Sequence, residues 1–431
     1  MNSMPAEIVG NRPALLPVDV ALAHILDSLP RTKIEHLPLK DAYRRTLAVS
    51  LASRLSLPEQ AVSAMDGYAV NAADCYAAAA DGLATLIRIG ESAAGHPWTG
   101  QLKSGAAVRI FTGAILPDGA DSVVLQEDVT ASAEQDGAHI TLTQAPTKGR
   151  FIRPAGLDVQ AGNEILAAGT QLSARALALA LSTGHVEADF HARPRIGILS
   201  TGDELVNPGE TLRTGQIISS NAAYLEAFAT ACGAIAVPLG IARDQPGAML
   251  ASLDGAEGPL DLVVTTGGAS VGVHDHIVSD LSALEAMSDS TDINALSFWK
   301  IAMRPGKPLI FGCVNSIPLL GLPGNPVSSV VCALIFLRPA IMYMAGGTPN
   351  DEFITARLAI PLAANDERQD YLRARLTNVG DDLPLITPFS RQDSSMISVL
   401  SRSDALIVRP PFDTACIAGD LVTALPIPRL L

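Results

Sequence analysis

The stretch "LDLVVTTGGASVGVHDH", Leu260 to His276, runs from an apolar segment through two threonines and two glycines to an aspartate between histidines. Asp261 to Val264 read as a buried strand, and Thr265, Thr266, Gly267, Gly268, Ala269 and Ser270 as the turn that ends it. Glycine lets a ligand approach the backbone, and successive N–H groups beside hydroxyls can form a nest for an anion such as phosphate. An ordinary strand-to-helix turn accounts for the same residues. A P-loop is excluded, because Val273 stands where that motif needs lysine. A dinucleotide fingerprint is excluded because GxGxxG is absent. The alternation of His274, Asp275 and His276 fits an exposed loop as well as a metal ligand set.

The flanking sequence repeats this strand-and-turn device. "RPRIGILSTGDEL" from Arg193, "AIAVPLGIA", "WKIAMRPGKPLIFG" and "IPLLGLPGN" read as strands, separated by helical segments such as "SNAAYLEAFATACG" and "QPGAMLASLDGA". Strands alternating with helices predict a parallel sheet covered on both faces. Ligands of such sheets sit beyond the carboxyl ends of the strands, here the turns after Ser200, Thr266 and Leu322. Before this region, Leu57 to Thr147 is a series of short β-like runs punctuated by Gly, Pro and Asp, which predicts a β-rich domain. Val18 to Leu29 and Ser173 to Ser182 predict helices, the second starting near a serine and ending near Gly184. After Thr348 the chain turns β-like again, and a small barrel is expected.

Apolar residues make up 48% and charged residues 17% of the 431, enough apolar surface for a large core. The formal charge of −14 disfavours nonspecific binding to nucleic acid or acidic lipid, so a polyanionic ligand would need local cations, a metal or helix N-termini. The five cysteines are scattered with no CxxC pair, which reads as reduced thiols and a cytoplasmic protein. The N-terminus has no basic region followed by an apolar core, so no secretory signal is expected. Pro326 to Gly347 is apolar enough to suggest a membrane span, but Ser328, Ser329, Arg338 and Pro339 lie within it; a buried helix is expected, and no membrane.

Several side chains could carry chemistry. In "STGDEL", Asp203 can cap the following segment, leaving Glu204 free; Asp244 after "VPLGIA" is another carboxylate at the same sheet end. Carboxylates around a phosphate require a cation such as Mg²⁺. "RPGKP" supplies positive charge through Arg304 and Lys307 on a proline-bounded loop. "GLPGNP" places Asn325 as an N-cap and Pro326 at the first helical position, leaving N–H groups open to an anion. "SAMDGYAV" around Asp66 and "RIFTGAILPDGAD" around Thr112 read as turns carrying a carboxylate and a hydroxyl.

Taken together, "SAMDGYAV", "RIFTGAILPDGADSVVLQEDV", "IRPAGLDVQAGNEIL", "GILSTGDELV", "TTGGASVGVHD", "MRPGKPLIFG" and "GLPGNPVSS" resemble, in order, the molybdopterin molybdenumtransferase family, which includes MoeA and the gephyrin E domain. The resemblance implies a multidomain α/β plus β chain. Its parts would be a discontinuous N-terminal linking domain over 14–56 and 148–192, a β-rich inserted domain over 57–147, a doubly wound α/β molybdopterin-binding domain over 193–347, and a C-terminal β-barrel-like domain over 348–431. It implies a homodimer in which the Asp66-bearing domain completes the partner's site. It places Asp66, Thr112, Glu204, Asp275 and Lys307 at catalytic positions, with Glu204, Asp244 and Asp275 toward Mg²⁺. Substrate contacts would come from Arg153, Asp158, Thr266, Gly267, Gly268, Ser270, Asp244, Arg304, Pro308, Ser328, Arg373 and Ser394 or Ser395. The chain departs from the family pattern at "EQAV" before Ser63, at Arg304 where lysine is common, and at Met396 after the serines.

The implied reaction takes adenylylated molybdopterin and molybdate, releases AMP and leaves molybdenum on the dithiolene, with Mg²⁺ assisting. Two alternatives are a non-catalytic molybdopterin- or molybdate-binding scaffold and a molybdopterin adenylyltransferase. The co-occurrence of Asp66, Glu204, Asp275 and Lys307 argues against a scaffold. The "SAMDGYAV" domain is unnecessary for an adenylyltransferase.

Overall fold

A computed structural model describes residues 15–78, 84–267, 296–349, 353–380 and 382–428. The chain divides into two compact units: residues 36–43 and 49–188 form one, and residues 44–48 and 189–431, with the chain up to Glu35, form the other.

The first unit is built on a six-stranded sheet. Its strands are β1 (Gly67–Val70), β2 (Thr85–Ser92), β3 (Ala106–Ile110), β4 (Ser122–Leu125), β5 (Val129–Ala131) and β6 (His139–Leu142), in the order β4-β1-β3-β2-β6-β5. Successive side chains of a strand point to opposite faces. Tyr68 and Val70 therefore join Leu86, Ile140 and Leu142 in one core, while Ala69 joins Val108, Ile110 and Val123 in another. Both faces are covered, so β1 is buried along its whole length. In the same unit, the helix Ala174–Ser182 begins where expected, with the Ser173 hydroxyl accepting the Ala176 N–H at 3.2 Å.

The second unit opens with helix α1 (Val18–Ser28). Its sheet comprises β7 (Arg195–Thr201), β8 (Ile235–Ala242), β9 (Leu262–Thr266), β10 (Leu296–Trp299), β11 (Ile310–Val314) and β12 (Ile317–Leu322), in the order β8-β7-β9-β12-β11-β10. Strands β8, β7, β9 and β12 are parallel. The other two are not, which corrects the expectation of a parallel sheet throughout: β11 pairs antiparallel with β12 and with β10. Only Asn315 and Ser316 separate β11 from β12, and both have positive φ (49° and 63°). A two-residue turn of that hand closes a hairpin and cannot carry a parallel crossover.

Helices cover both faces of this sheet. Ile196, Ile198 and Val264 pack with Leu225 and Phe228 of α2 (Ser220–Ala231). Leu199 and Val263 pack on the other side with Met249 and Leu253 of α3 (Ala248–Asp254). The apolar segment from Pro326 is α4 (Pro326–Cys332), a π-helical turn (Ala333–Leu337) and α5 (Arg338–Met344). Pro339 has no N–H for the Ile335 carbonyl, and its ring would collide with that carbonyl in a regular α-helix; the wider π turn relieves both. This 19-residue helix has mean hydropathy 1.8 and is 83% buried, as expected for a core helix despite its span-like composition.

The chain ends in a closed five-stranded barrel: β13 (Ile354–Leu358), β14 (Gln369–Thr377), β15 (Leu385–Pro388), β16 (Ala405–Arg409) and β17 (Leu421–Pro426). They pair as β14-β15-β13-β17-β16, and β16 returns to β14. Tyr371, Leu406 and Leu425 leave the barrel's own core and join the cluster around the buried helix. Phe336, fully buried in that cluster, is the test of its weight. Replacing it with alanine is expected to cost about 3–5 kcal/mol, visible as an earlier denaturant midpoint of the unit, whereas Leu421→Ala at a 57% exposed position should leave the midpoint near wild type.

Candidate active site at the carboxyl edge of the sheet

The parallel register levels the strand ends: Ser200 lies beside Thr266, Thr266 beside Leu322, and Thr201 beside Ala242. The turns that leave this edge are Gly202–Glu204, Arg243–Gln245, Gly267 and Pro323–Asn325. Gly267 adopts φ +92°, and a Cβ there would lie 2.5 Å from the Thr201 carbonyl oxygen, so no other residue fits. Its N–H donates to the Leu322 carbonyl at 3.3 Å. Asn221, in the first turn of α2, donates through Nδ2 to Thr266 Oγ1 at 2.9 Å and to the Gly324 carbonyl at 2.8 Å, tying two of these turns together. Ser200 and Ser219 share a hydroxyl hydrogen bond of 2.8 Å. Thr201 Oγ1 and Thr265 Oγ1 are buried without hydrogen-bond partners among the described residues.

The carboxylates occupy the neighbouring turns. Asp203 and Asp244 clasp each other reciprocally: each side chain accepts the other's backbone N–H at 3.2 Å. This corrects the capping expectation: Asp203 holds the facing turn rather than the segment that follows it. Arg243 steadies the same turn, donating from Nη1 to the carbonyls of Asp203 (3.1 Å) and Leu205 (3.0 Å). Glu204 is exposed, its carboxylate folded back over Gly202, and no donor reaches it among the described residues. Among those residues no group of three or more His, Cys, Asp or Glu forms a metal-binding cluster. Gly268, Ser270 and Asp275 lie outside the described residues.

The RPGKP loop is held from two sides. Gly306 has φ +113°, and a Cβ there would meet Cys332 Sγ at 2.5 Å, so the loop backbone lies directly on α4. Ile301 N–H donates to the Lys307 carbonyl at 2.8 Å. Lys307 itself is exposed and makes no ion pair among the described residues, and Pro308 is half-buried. Ser328, 5% exposed, stands one helical turn before Cys332 and so on the face of α4 that Gly306 covers. Asn325 and Pro326 take the expected N-cap and first helical positions, but the Asn325 side chain caps nothing. Instead the Ser394 carbonyl accepts the Val327 N–H at 3.2 Å, seating a barrel loop on the helix N-terminus.

Two arginines sit differently from a ligand-gripping expectation. The Arg304 fork is already filled: Nη1 donates to Asp366 at 2.9 Å, and Nη2 to Asn365 at 3.2 Å and to Asp370. The bond to Asp370 holds its pKa above the ordinary value. Arg373 is 1% exposed. It donates to the Asp393 carbonyl (2.9 Å), the Met396 carbonyl (3.2 Å) and Gln392 Oε1 (3.3 Å), bracing the serine loop from behind. Three of the five N–H donors of this buried guanidinium are thus committed to the loop that carries Ser394 and Ser395. Ser395 bonds through Oγ to Asp393 at 2.6 Å on the exposed side of that loop.

In the first unit, Asp66 and Thr112 come together. Asp66 Oδ1 accepts the Thr112 backbone N–H at 2.7 Å and its hydroxyl at 2.8 Å. These two bonds, the backbone one first, hold the Asp66 carboxyl below the usual carboxylate range, so it is ionised at neutral pH. Arg153 is the register partner of Val62, and Ile152 that of Ser63, on the strand that leads into the Asp66 turn. Asp158 is exposed, and its N–H donates to the Leu57 carbonyl at 2.9 Å. Arg109 was not singled out from the sequence. It lies over the rings of Tyr68 (5.1 Å) and Phe111 (4.9 Å) and donates to the Gly67 carbonyl at 3.3 Å, framing the Asp66 turn. Its signal was the arginine at the head of "RIFTGA", alternating with buried residues. Asn221 was legible only as a helix start.

The second unit therefore offers a bare-backbone turn flanked by carboxylates, and an exposed lysine on a loop packed against a helix near its N-terminus. These are features that suit a phosphate, a hard divalent cation and an oxyanion. Comparison with known proteins gives the family. Residues 16–184 match the MoeA N-terminal region (domain I and II), residues 197–343 a probable molybdopterin binding domain, and residues 355–427 the MoeA C-terminal region (domain IV). A molybdopterin molybdenumtransferase of Haemophilus influenzae is 33% identical over 97% of this chain and 100% of its own length. One from Bacillus subtilis is 31% identical over 92% of this chain and 90% of its own. A crystal structure of a molybdopterin biosynthesis MoeA protein from Pyrococcus horikoshii superposes with TM-score 0.81 at 24% identity, covering 96% of this chain and all of that one, which shows a shared fold. With relatives of this identity spanning nearly its full length, the chain belongs to the molybdopterin molybdenumtransferase family.

Proposed function

We propose that this protein inserts molybdenum from molybdate into adenylylated molybdopterin, cleaving the phosphoanhydride, releasing AMP and exchanging oxo ligands of molybdate for the dithiolene sulfurs. The observation that carries this reading is the levelled edge of four parallel strands, where the Thr266–Gly267 turn lies in register beside the Thr201–Glu204 turn. A phosphate there would take the Thr266 hydroxyl, which accepts from Asn221 and keeps its own proton to donate, and would face carboxylates on the second turn.

That juxtaposition calls for a cation. Glu204 is free of donors among the described residues, and Asp244 uses only Oδ2 in its clasp with Asp203. Mg²⁺ is commonly held by one or two carboxylates together with substrate phosphates, so these two carboxylates fit it, and the family resemblance adds Asp275. When bound, it would neutralise charge on the phosphoanhydride. Lys307 would hold molybdate, with Pro308 and the first turn of α4 at Ser328 as the other walls. Catalysis then rests on positioning and charge rather than on a protein nucleophile.

Asp66 and Thr112, bonded to each other, and Arg153 belong to the first unit. We read them as the part that completes the site of a second copy in a homodimer. Five free thiols are consistent with a cytoplasmic protein.

Cofactor formation from purified adenylylated molybdopterin and molybdate tests the activity, and three variants test the parts. Lys307→Ala should raise the half-saturating molybdate concentration by about ten- to a hundredfold, the loss of one charge-assisted hydrogen bond. Recovery at high molybdate is expected; an unchanged half-saturation removes Lys307 from the oxyanion site. Chelation should abolish turnover, and Glu204→Gln should need more Mg²⁺ to restore it; full turnover in metal-free buffer would dismiss the cation. At limiting molybdate, where Lys307→Ala alone turns over poorly, that chain and Asp66→Ala, mixed and allowed to exchange, should regain activity in hybrids with one intact site. If exchange is demonstrated and activity stays at the level of the separate variants, the shared site is wrong.

A further inference from the structure

The segment Asn365–Asp370 of the barrel grips Arg304, and its position bears on the loop that presents Lys307. We propose that Asp366 and Asp370 are positioning residues for the oxyanion site: they fix Arg304, and through it the RPGKP loop, so that Lys307 rather than Arg304 meets the oxyanion. This rests on the reading of Lys307 given above.

Three observations carry it. Both terminal nitrogens of the Arg304 fork are taken, by Asp366 on one side and by Asn365 and Asp370 on the other. A planar fork engaged in this way has no second pair of parallel donors for another anion. The backbone is tied at the same point: Met303–Arg304 runs parallel beside Gln369–Asp370, and the Gln369 N–H donates to the Ala302 carbonyl at 2.9 Å. Finally, Asp370 is only 5% exposed. If Arg304 swung out toward a ligand it would strand a buried carboxylate, which is far more costly than breaking a surface pair. Asp366 also takes Arg368 through 2.9 Å and 3.0 Å bonds. Arg368 first, and then Arg304, hold the Asp366 carboxyl down at about 2, so it stays charged throughout the neutral range. Lys307, three residues beyond Arg304, is exposed and free of ion pairs among the described residues. Gly306 between them is already seated on Cys332. The loop is thus anchored on both sides of Gly306, with one cation neutralised and one presented.

The sign of a single variant decides the matter. Asp366 is 45% exposed on its side chain, so Asp366→Asn should fold, which a thermal melt verifies. Molybdate binding to the intact protein is measured by equilibrium dialysis with elemental analysis, alongside half-saturation and kcat in turnover. If Asp366 positions the loop, Asp366→Asn weakens molybdate binding by about threefold or more with kcat nearly unchanged. Arg304→Met then weakens it at least as much, and the double variant is no worse than Arg304→Met alone. If Arg304 is itself the oxyanion ligand, Asp366→Asn frees it and binding tightens, which overturns the proposal; unchanged binding overturns it too. Lys307→Ala in the same dialysis separates the two levels. No change there defeats the parent reading, whereas a weakened Lys307→Ala beside an unaffected Asp366→Asn defeats only this inference.

Discussion

The approach of the Gly267 backbone to the Thr201 carbonyl is the constraint on which the sheet edge depends. Parallel strands β7 and β9 run in register to their last residues, so the turns leaving them start at the same height. They would collide unless one of them lacked a side chain and could take positive φ. Gly267 meets both conditions. With that contact made, Thr266 faces Asn221, Asn221 reaches Gly324, and the turn that carries Asp203 and Glu204 leaves the sheet beside Gly267. Each later feature inherits its place from this one.

The second determinant is how the chain spends its few cations near this edge. With a formal charge of −14, positive potential cannot come from the surface at large. Arg243 is used on turn carbonyls, Arg304 on barrel carboxylates and Arg373 on the backbone of the serine loop. Lys307 remains exposed and unpaired among the described residues. A compact ammonium on an anchored loop is a point charge, suited to a tetrahedral oxyanion. The arginines supply geometry instead, each joining segments far apart in sequence.

The barrel is part of the same construction. Tyr371, Leu406 and Leu425 share a core with the buried helix, Ser394 contacts that helix at its first turn, and Asp370 pairs with Arg304. Apolar burial fixes the barrel against the sheet, and polar contacts then aim its loops at the site. The division suits the physics: burial is strong but undirected, while hydrogen bonds and ion pairs are weaker but geometrically specific.

The amino-acid sequence by itself determined the strand-and-turn device at Leu260–Gly267, the helices at Val18 and Ser173, the buried nature of the Pro326 helix, and the meeting of strand ends that makes a site. These are local matters, set by hydrophobic periodicity and by residues whose backbone preferences are strong. It also contained Asn315-Ser316, yet the antiparallel reversal they impose emerged only in the fold: Asn315 tolerates positive φ, but Ser316 in place of the usual glycine gives no hairpin signal. What only the tertiary structure decided was partnership. That Asp66 bonds Thr112, that Asp203 and Asp244 clasp one another, that Arg373 is buried behind its loop and that Arg304 is filled by Asp366 and Asp370 are all contacts between residues 20 to 66 positions apart. An arginine in a loop has the same sequence appearance whether its fork is open or occupied. The difference is made by the carboxylate that the fold brings to it.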